Sequence, residues 1–423
     1  MLSTYSICGH YRKFDAPALR LTAAAGLRDT LEGVVEFPIL RELNQEKSVT
    51  NAHAAVLTGP RKFEHREFPL PPIGPEDGLL RVEANGLCGT DYDQYLCKLK
   101  STPWGSIPII PGHETIGWID KIGVQAAKNW KVREGDRVCV KAPLPCGRCR
   151  QCRMAAFHRC ERRMGYGLFL TTDIKPGLWG GYATHMYLHP DTLLKRAPDD
   201  IPTDVMTLFN PLAGVVRWIY DVPNLRMGEH VVVLGPGQRG ILAALTAKEA
   251  GAKTVTVTGL ARDRHRLELA RKLGADAVVD VGAEDLVERV REVTGGEMAD
   301  LVLDMSAEST EPILQAVEIA RQGGRIVLAG LKSGKPVSGL ITDKIVIKEL
   351  QLLGVLSSTS QSLEVAIEIL KRRHAELAAI CTHVYSLEDA DKAVRVLGRE
   401  IDAARDVVHV NLKMTKPSSD LLT

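Results

Sequence analysis

From about residue 230 to 355 the chain repeats one pattern: a short β-branched or aliphatic run, then a stretch of helical character. The runs are Val231–Leu234, Thr254–Thr258, Ala277–Val279, Leu301–Asp304, Arg325–Ala329 and Leu350–Gly354. Between them lie the helical stretches Leu242–Ala250, Asp263–Leu273, Ala283–Val293 and Glu311–Arg321. Strands that are apolar throughout and separated by helices suit a parallel sheet covered on both faces. The expected fold class is therefore α/β, with a doubly wound parallel sheet from about residue 230 to 355.

At the first strand-to-helix turn stands Gly235-Pro236-Gly237-Gln238-Arg239-Gly240, the pattern G-x-G-x-x-G. Such glycines permit a tight turn and the close approach of a pyrophosphate, which then faces the amides at the helix start. Alone the pattern is weak. After a strand, before a helix and at the head of six strands, it predicts a dinucleotide site that includes Gly235, Gly237, Gln238, Arg239 and Gly240. About 20 residues further on, an acid at the end of the second strand ordinarily binds the ribose hydroxyls. Here Gly259 stands in that place, with Arg262 and Arg264 after it. Losing the acid removes its repulsion of a 2′-phosphate, and an arginine can pair with one, so NADP is favoured over NAD. The plainer alternative has both arginines solvated in the first turn of a helix.

Outside this segment the chain reads as irregular β structure, with strands at His53–Leu57, Phe63–Phe68, Gly78–Ala84, Ile116–Ile122, Arg137–Val140 and Val407–Leu412. Two groups of metal-ligand residues lie within it. Cys146, Cys149, Cys152 and Cys160 follow C-x2-C-x2-C-x7-C. Nine cysteines in 423 residues put about 0.3 in a window of this length, and this one holds four. Four thiolates close a zinc tetrahedron and leave no open position, so a structural zinc is expected over an iron–sulfur cluster or a nucleic-acid-binding ribbon. The second group is Cys88-Gly89-Thr90-Asp91 with Pro111-Gly112-His113-Glu114. A thiolate, an imidazole and a carboxylate match the donors zinc takes in catalytic sites, and glycines at 86, 89 and 112 let the backbones converge. The bland alternative is a half-buried cysteine and a hydrogen-bonded core histidine.

Composition narrows the class. Lys plus Arg total 54 against 52 Asp plus Glu, which lacks the excess positive charge of a dedicated nucleic-acid binder. No apolar run approaches the ~18 residues of a membrane span. Unevenly spaced cysteines without a signal peptide suggest metal ligands in a reducing compartment, so a cytoplasmic location is expected.

With both cysteine groups and the glycine loop in view, residues 52–413 resemble the zinc-containing medium-chain alcohol dehydrogenases, in particular the sorbitol and threonine dehydrogenase branch. Gly112-His113-Glu114-x2-Gly117-x5-Gly123-x2-Ala126 follows that family's zinc signature. The resemblance implies a partly β, GroES-like catalytic domain built from both ends of the chain, with the Rossmann domain inserted. The expected division is an N-terminal extension 1–51, a catalytic domain 52–211 with a structural-zinc lobe at 143–164, the dinucleotide-binding domain 212–355, the rest of the catalytic domain 356–414, and a tail 415–423. It implies two zinc ions per chain, with Cys88 and His113 on the catalytic one and Cys146, Cys149, Cys152 and Cys160 on the other. Thr90 becomes the hydroxyl that relays a proton. The implied reaction transfers a hydride between an alcohol, a secondary alcohol or polyol, and NAD(P), in a homodimer or homotetramer.

Two departures matter. Asn210, 25 residues before Gly235, stands where relatives carry Cys or Glu. An amide is a poor zinc ligand, so Glu114 is expected to bind the metal directly, its charge and that of Cys88 offsetting the ion's, while Asn210 holds a water or substrate hydroxyl. The alternative keeps Glu114 behind the ligands and leaves a more positive site. Asp93 stands where many relatives end the proton relay with His. Asn210 also motivates a second reading, a catalytically impaired NAD(P)-binding regulatory protein of the same fold. Tyr92, Tyr95, Trp104 and Trp179 are candidates either for a substrate pocket or for core packing.

Overall fold

A computed structural model describes residues 50–99 and 105–414. Nearly all of the N-terminal extension, the tail 415–423 and Trp104 lie outside them. Asn51 already belongs to a strand, Asn51–Gly59, which pairs antiparallel with Lys62–Pro69.

Six parallel strands form one sheet in the order Ala277–Asp280, Thr254–Gly259, His230–Leu234, Ala299–Asp304, Ala320–Leu328, Gln351–Gly354. The aliphatic runs read from the sequence fall in or within one residue of these strands. The inner strands His230–Leu234 and Ala299–Asp304 are buried on both faces, which calls for such runs, whereas the edge strand Gln351–Gly354 is mostly exposed. One boundary differs. The helix expected to reach Arg321 ends at Ile319, since Ala320 is already paired with Ala299 in the sheet. Strand order reverses between His230–Leu234 and Ala299–Asp304, which opens a crevice at the carboxyl ends of those strands. The glycine loop follows Leu234 there and leads into the helix Gln238–Glu249.

The second sheet has seven strands and draws on both ends of the chain: Cys381–Ser386, His409–Lys413, Gly78–Leu87, Thr115–Ile122, Arg137–Val140 and Leu194–Arg196 in order, with His185–Leu188 also paired to Gly78–Leu87. In this register Val410 faces Leu87 and Asn411 faces Gly86. The pairing carries His409 to the residues that lead into Cys88.

A helix at Phe209–Val216, continued by a π-helical turn Arg217–Asp221, was not apparent from the sequence. Seven of its first eight residues are buried, so it is apolar on nearly every side and shows no amphipathic period. Pro211 sits in its first turn, where a missing N–H costs no helical hydrogen bond. One continuous core runs from Ala84, Ile116 and Cys139 of the second sheet through Phe209 and Leu212 to Val231 and Val255 of the first. No helix among the described residues is long and apolar enough to cross a membrane.

Candidate active site

Cys88 follows the strand Gly78–Leu87 and caps the helix Gly89–Tyr95. Asp91, in that helix's first turn, accepts the Cys88 backbone N–H at 2.8 Å. His113 and Glu114 occupy the turn into the neighbouring strand Thr115–Ile122. Gly112 makes this turn with φ +96°, and a Cβ there would stand 2.6 Å from the Tyr182 ring, so no other residue fits without displacement. The Cys88 Sγ and His113 Nε2 consequently lie 3.1 Å apart. With Glu114 they form a buried trio whose donor atoms all fall within 4.8 Å of one another.

The electrostatics of this trio favour a cation. Burial alone would lower the His113 imidazole, yet Cys88, Asp91 and Glu114 outweigh it and bring it up to about 10. Burial pushes the Glu114 carboxyl up, with Arg239, His113 and the Asn210 amide pulling the other way. Asp91 is also pushed up by burial, against His113 and the Cys88 amide. Glu114 Oε2 is buried with no hydrogen-bond partner, as is His113 Nδ1, with Asp91 Oδ1 3.8 Å from the latter. A sulfur, an imidazole nitrogen and an unpartnered carboxylate oxygen in a negative, desolvated spot suit zinc, and a carboxylate behind the histidine suits the orientation of a ligand imidazole.

Glu114 Oε1 is engaged from another direction. Asn210, expected to hold a water or substrate hydroxyl, donates its Nδ2 to Oε1 at 3.0 Å, and Arg239 Nη2 lies 3.3 Å from the same oxygen. Arg239 thus points from the glycine loop toward the metal-ligand trio, its guanidinium 5.0 Å above the Trp218 ring. Gln238 also faces inward, its Nε2 2.7 Å from Nδ1 of the fully buried His409. Further along, a Cβ at Gly259 would stand 2.8 Å from Pro236 of the glycine loop. A side chain there, an acid included, would need Pro236 to shift. Asp263 is buried and accepts from Arg399 at 2.8 Å, Arg264 pairs with Glu268 at 3.3 Å, and Arg262 is exposed.

Thr90 and Asp93 lie one turn apart on the helix Gly89–Tyr95, hence on one face. Burial raises the Asp93 carboxyl, with Lys98 opposing and Glu308 adding to the rise. Three of the candidate aromatics have packing roles. Tyr92 donates to Glu400 and Tyr95 to Asp391, each at 2.6 Å, and Trp179 donates to the Ile174 carbonyl at 2.7 Å.

The cysteines of the lobe also converge, their sulfurs within 4.8 Å of one another. Backbone N–H groups of Cys149, Cys152 and Cys146 donate to the sulfurs of Cys146, Cys149 and Cys160 at 3.4, 3.4 and 3.3 Å. Amides of Arg148 and Cys149 bring the Cys146 thiol down to about 6, and amides of Glu161 and Cys152 lower Cys149. Four sulfurs with amides directed at three of them suit a tetrahedral zinc.

The place of Asp91 behind His113, the buried His409 and the inward turn of Arg239 were not apparent from the sequence. Only Asp91 left a signal, an acid three residues after a helix-capping cysteine.

Residues 74–199 match the alcohol dehydrogenase GroES-like domain, and residues 240–372 match the zinc-binding dehydrogenase family. A Mycobacterium tuberculosis protein named as a probable alcohol dehydrogenase is 42% identical over 356 residues, covering 82% of this chain and 95% of that one. An L-threonine 3-dehydrogenase of Anaeromyxobacter dehalogenans is 31% identical over 332 residues, 78% of this chain and 90% of the relative. Among solved structures, an alcohol dehydrogenase of Thermotoga maritima superposes with a TM-score of 0.77 at 24% identity, covering 86% of this chain and all of that one. A Sinorhizobium meliloti protein of the zinc-binding dehydrogenase type, bound to NADP, gives 0.74 at 25% identity, covering 86% and 99%.

Proposed function

Because the chain belongs to the zinc-type medium-chain alcohol dehydrogenases, we propose that Cys88, His113 and Glu114 hold the zinc at which an alcohol is oxidised, with the dinucleotide on the loop Gly235–Gly240. The protein is a zinc-dependent oxidoreductase that exchanges a hydride between an alcohol and NAD(P). The observation that carries the site assignment is the buried convergence of Sγ, Nε2 and a Glu114 oxygen that nothing else satisfies. Zinc on these donors supplies a Lewis acid that makes an alcohol hydroxyl more acidic, and the dinucleotide supplies the hydride acceptor.

The chain's own residues do the rest. Cys88 and Glu114 offset the metal's charge, and Asp91 orients His113. Thr90 takes the hydroxyl proton and passes it toward Asp93, whose carboxyl burial raises so that it holds a proton more readily than an exposed one. Cys146, Cys149, Cys152 and Cys160 hold a second, structural zinc. We favour NADP, since Gly259 leaves no carboxylate against a 2′-phosphate and Arg262 is exposed beside it. The polyol-like run Cys88-Gly89-Thr90-Asp91 and the sequence Asn210-Pro211-Leu212 support a secondary alcohol or polyol as substrate. The domain division we favour is 52–211 with 356–414 around 212–355. The sheet edge Gln351–Gly354, beside exposed Val346, Ile347 and Leu356, supports pairing of copies into a dimer or tetramer. None of the described cysteines is in a disulfide, in keeping with the cytoplasm.

Alcohols and polyols screened against NAD and NADP, with zinc analysis on the same sample, test this reading. Two zinc ions per chain and faster reduction of NADP than of NAD are expected. One zinc and no reduction of either dinucleotide would overturn it.

A further inference from the structure

Arg239 belongs to the glycine loop by sequence and to the metal site by contact. Three residues spaced four apart on one helical stripe make room for its guanidinium: Asn210 shares Glu114 Oε1 with it, Gly214 carries no side chain, and Trp218 lies beneath it. A Cβ at Gly214 would stand 2.9 Å from Arg239 Nη1. The slot thus holds the one cation on the loop against a carboxylate of the metal-ligand trio. The hold is loose. Nη2 to Oε1 is 3.3 Å, and the side chain keeps 27% of its exposure. Meanwhile the loop and helix start on which Arg239 sits are where a pyrophosphate binds.

We propose that Arg239 is a positioning residue that ties dinucleotide occupancy to the grip of Glu114 on the zinc, an inference that rests on the ligand assignment made above. Without dinucleotide, the guanidinium neutralises part of the Glu114 charge and competes with the metal for it. Phosphate on the loop draws the guanidinium toward itself. Glu114, still steadied by Asn210, then offers its full charge to the metal. Linkage requires the converse: zinc on Glu114 frees Arg239 for phosphate, so the metal-loaded protein binds dinucleotide more tightly, by the same factor.

The test uses the full chain and two binding measurements that need no turnover. Zinc affinity at the Cys88 site is measured by competition with a chromogenic chelator, with and without saturating NADPH, the four-cysteine zinc serving as internal reference. NADPH affinity is measured by fluorescence on protein with two zinc ions and with one. For the native chain NADPH should tighten zinc at least about fivefold, with the same ratio in the reverse titration. Arg239→Gln should bring both ratios close to one, and Gly214→Ala, which displaces the guanidinium and leaves its charge, should lower them as well. A native ratio near one, or a native ratio preserved in both variants, overturns the proposal. Protein that never takes a second zinc overturns the ligand assignment beneath it, and protein that binds neither NADPH nor NADH overturns the placing of the dinucleotide on the loop; the zinc count taken first tells these failures apart.

Discussion

The four-cysteine lobe and the Cys88–His113–Glu114 trio both gather their donors within 4.8 Å, yet the lobe takes every donor from residues 146–160 while the trio depends on elements from residue 88 to residue 409. In the lobe, the amides that steady the sulfurs belong to the same short loop. Nothing from the dinucleotide sheet needs to arrive for it to form. In the trio, the spare carboxylate oxygen is met by Asn210 from a buried helix and Arg239 from the glycine loop, while His409 from the last strand holds Gln238 beside them. A metal site closed by local chain suits stability; one assembled from distant elements can respond to what those elements bind.

The largest effect should come from breaking the assembled site. Cys88→Ala removes an anionic donor, so zinc should fall from two ions per chain to one and activity by about 10³-fold or more, since several kcal/mol of charge stabilisation are lost. Its melting temperature should stay within a few degrees of the native value. Zinc analysis, steady-state kinetics and a melting curve check this, and an active protein that keeps both zinc ions would remove Cys88 from the metal. Next in size is the reverse pattern. Cys149→Ser should also cost one zinc, lower the melting temperature by on the order of 5–10 °C, and leave the folded fraction with activity within severalfold of native. A melt unchanged by loss of the lobe zinc would erase the contrast between the two sites.

How far each region could be read from the sequence follows the same division. The lobe is legible because its spacing is its structure: four cysteines in fifteen positions need no knowledge of the rest of the fold. The inner parallel strands are legible because burial on both faces forces apolar runs such as Val231–Leu234. The helix Phe209–Val216 is not, because a helix buried nearly all round has no polar face to set a period. Cys88, His113 and Glu114 stood out as residue types with the right chemistry, but their surroundings did not. Nothing local to Arg239 says that it turns toward Glu114, and nothing local to His409 says that strand pairing with Gly78–Leu87 sets it against Gln238. The resemblance pointed to a domain closed by both chain ends, without naming the side chains that closure brings together.

His409 offers the finest cut through this comparison, because it belongs to the assembled site and touches no donor of the lobe. The imidazole is fully buried, with Nδ1 2.7 Å from Gln238 Nε2 and Nε2 2.9 Å from Thr207 Oγ1. An amide nitrogen at that distance is a donor, so Nδ1 must accept and Nε2 carries the proton, an assignment made from the network. A second proton would set Nδ1–H against the amide donor. Burial lowers the group to about 3, with Asn411 opposing only in part. The unfolded chain, with an ordinary histidine near 6.5, takes up a proton below that pH that the folded chain refuses. Stability contributed by this residue is therefore complete above about 6.5 and declines as the pH falls toward 3, by about 1.4 kcal/mol per pH unit. His409→Asn removes that dependence while keeping a polar side chain. At pH 7.5 the variant should be less stable by about 1–3 kcal/mol through its lost hydrogen bonds, and the gap should close on going to pH 5. Urea unfolding of both proteins across that range measures the gap directly, and acid release of the lobe zinc, common to both, cancels in the difference. A gap that stays constant with pH would mean that His409 is protonated in the folded protein, with Gln238 turned to accept from it.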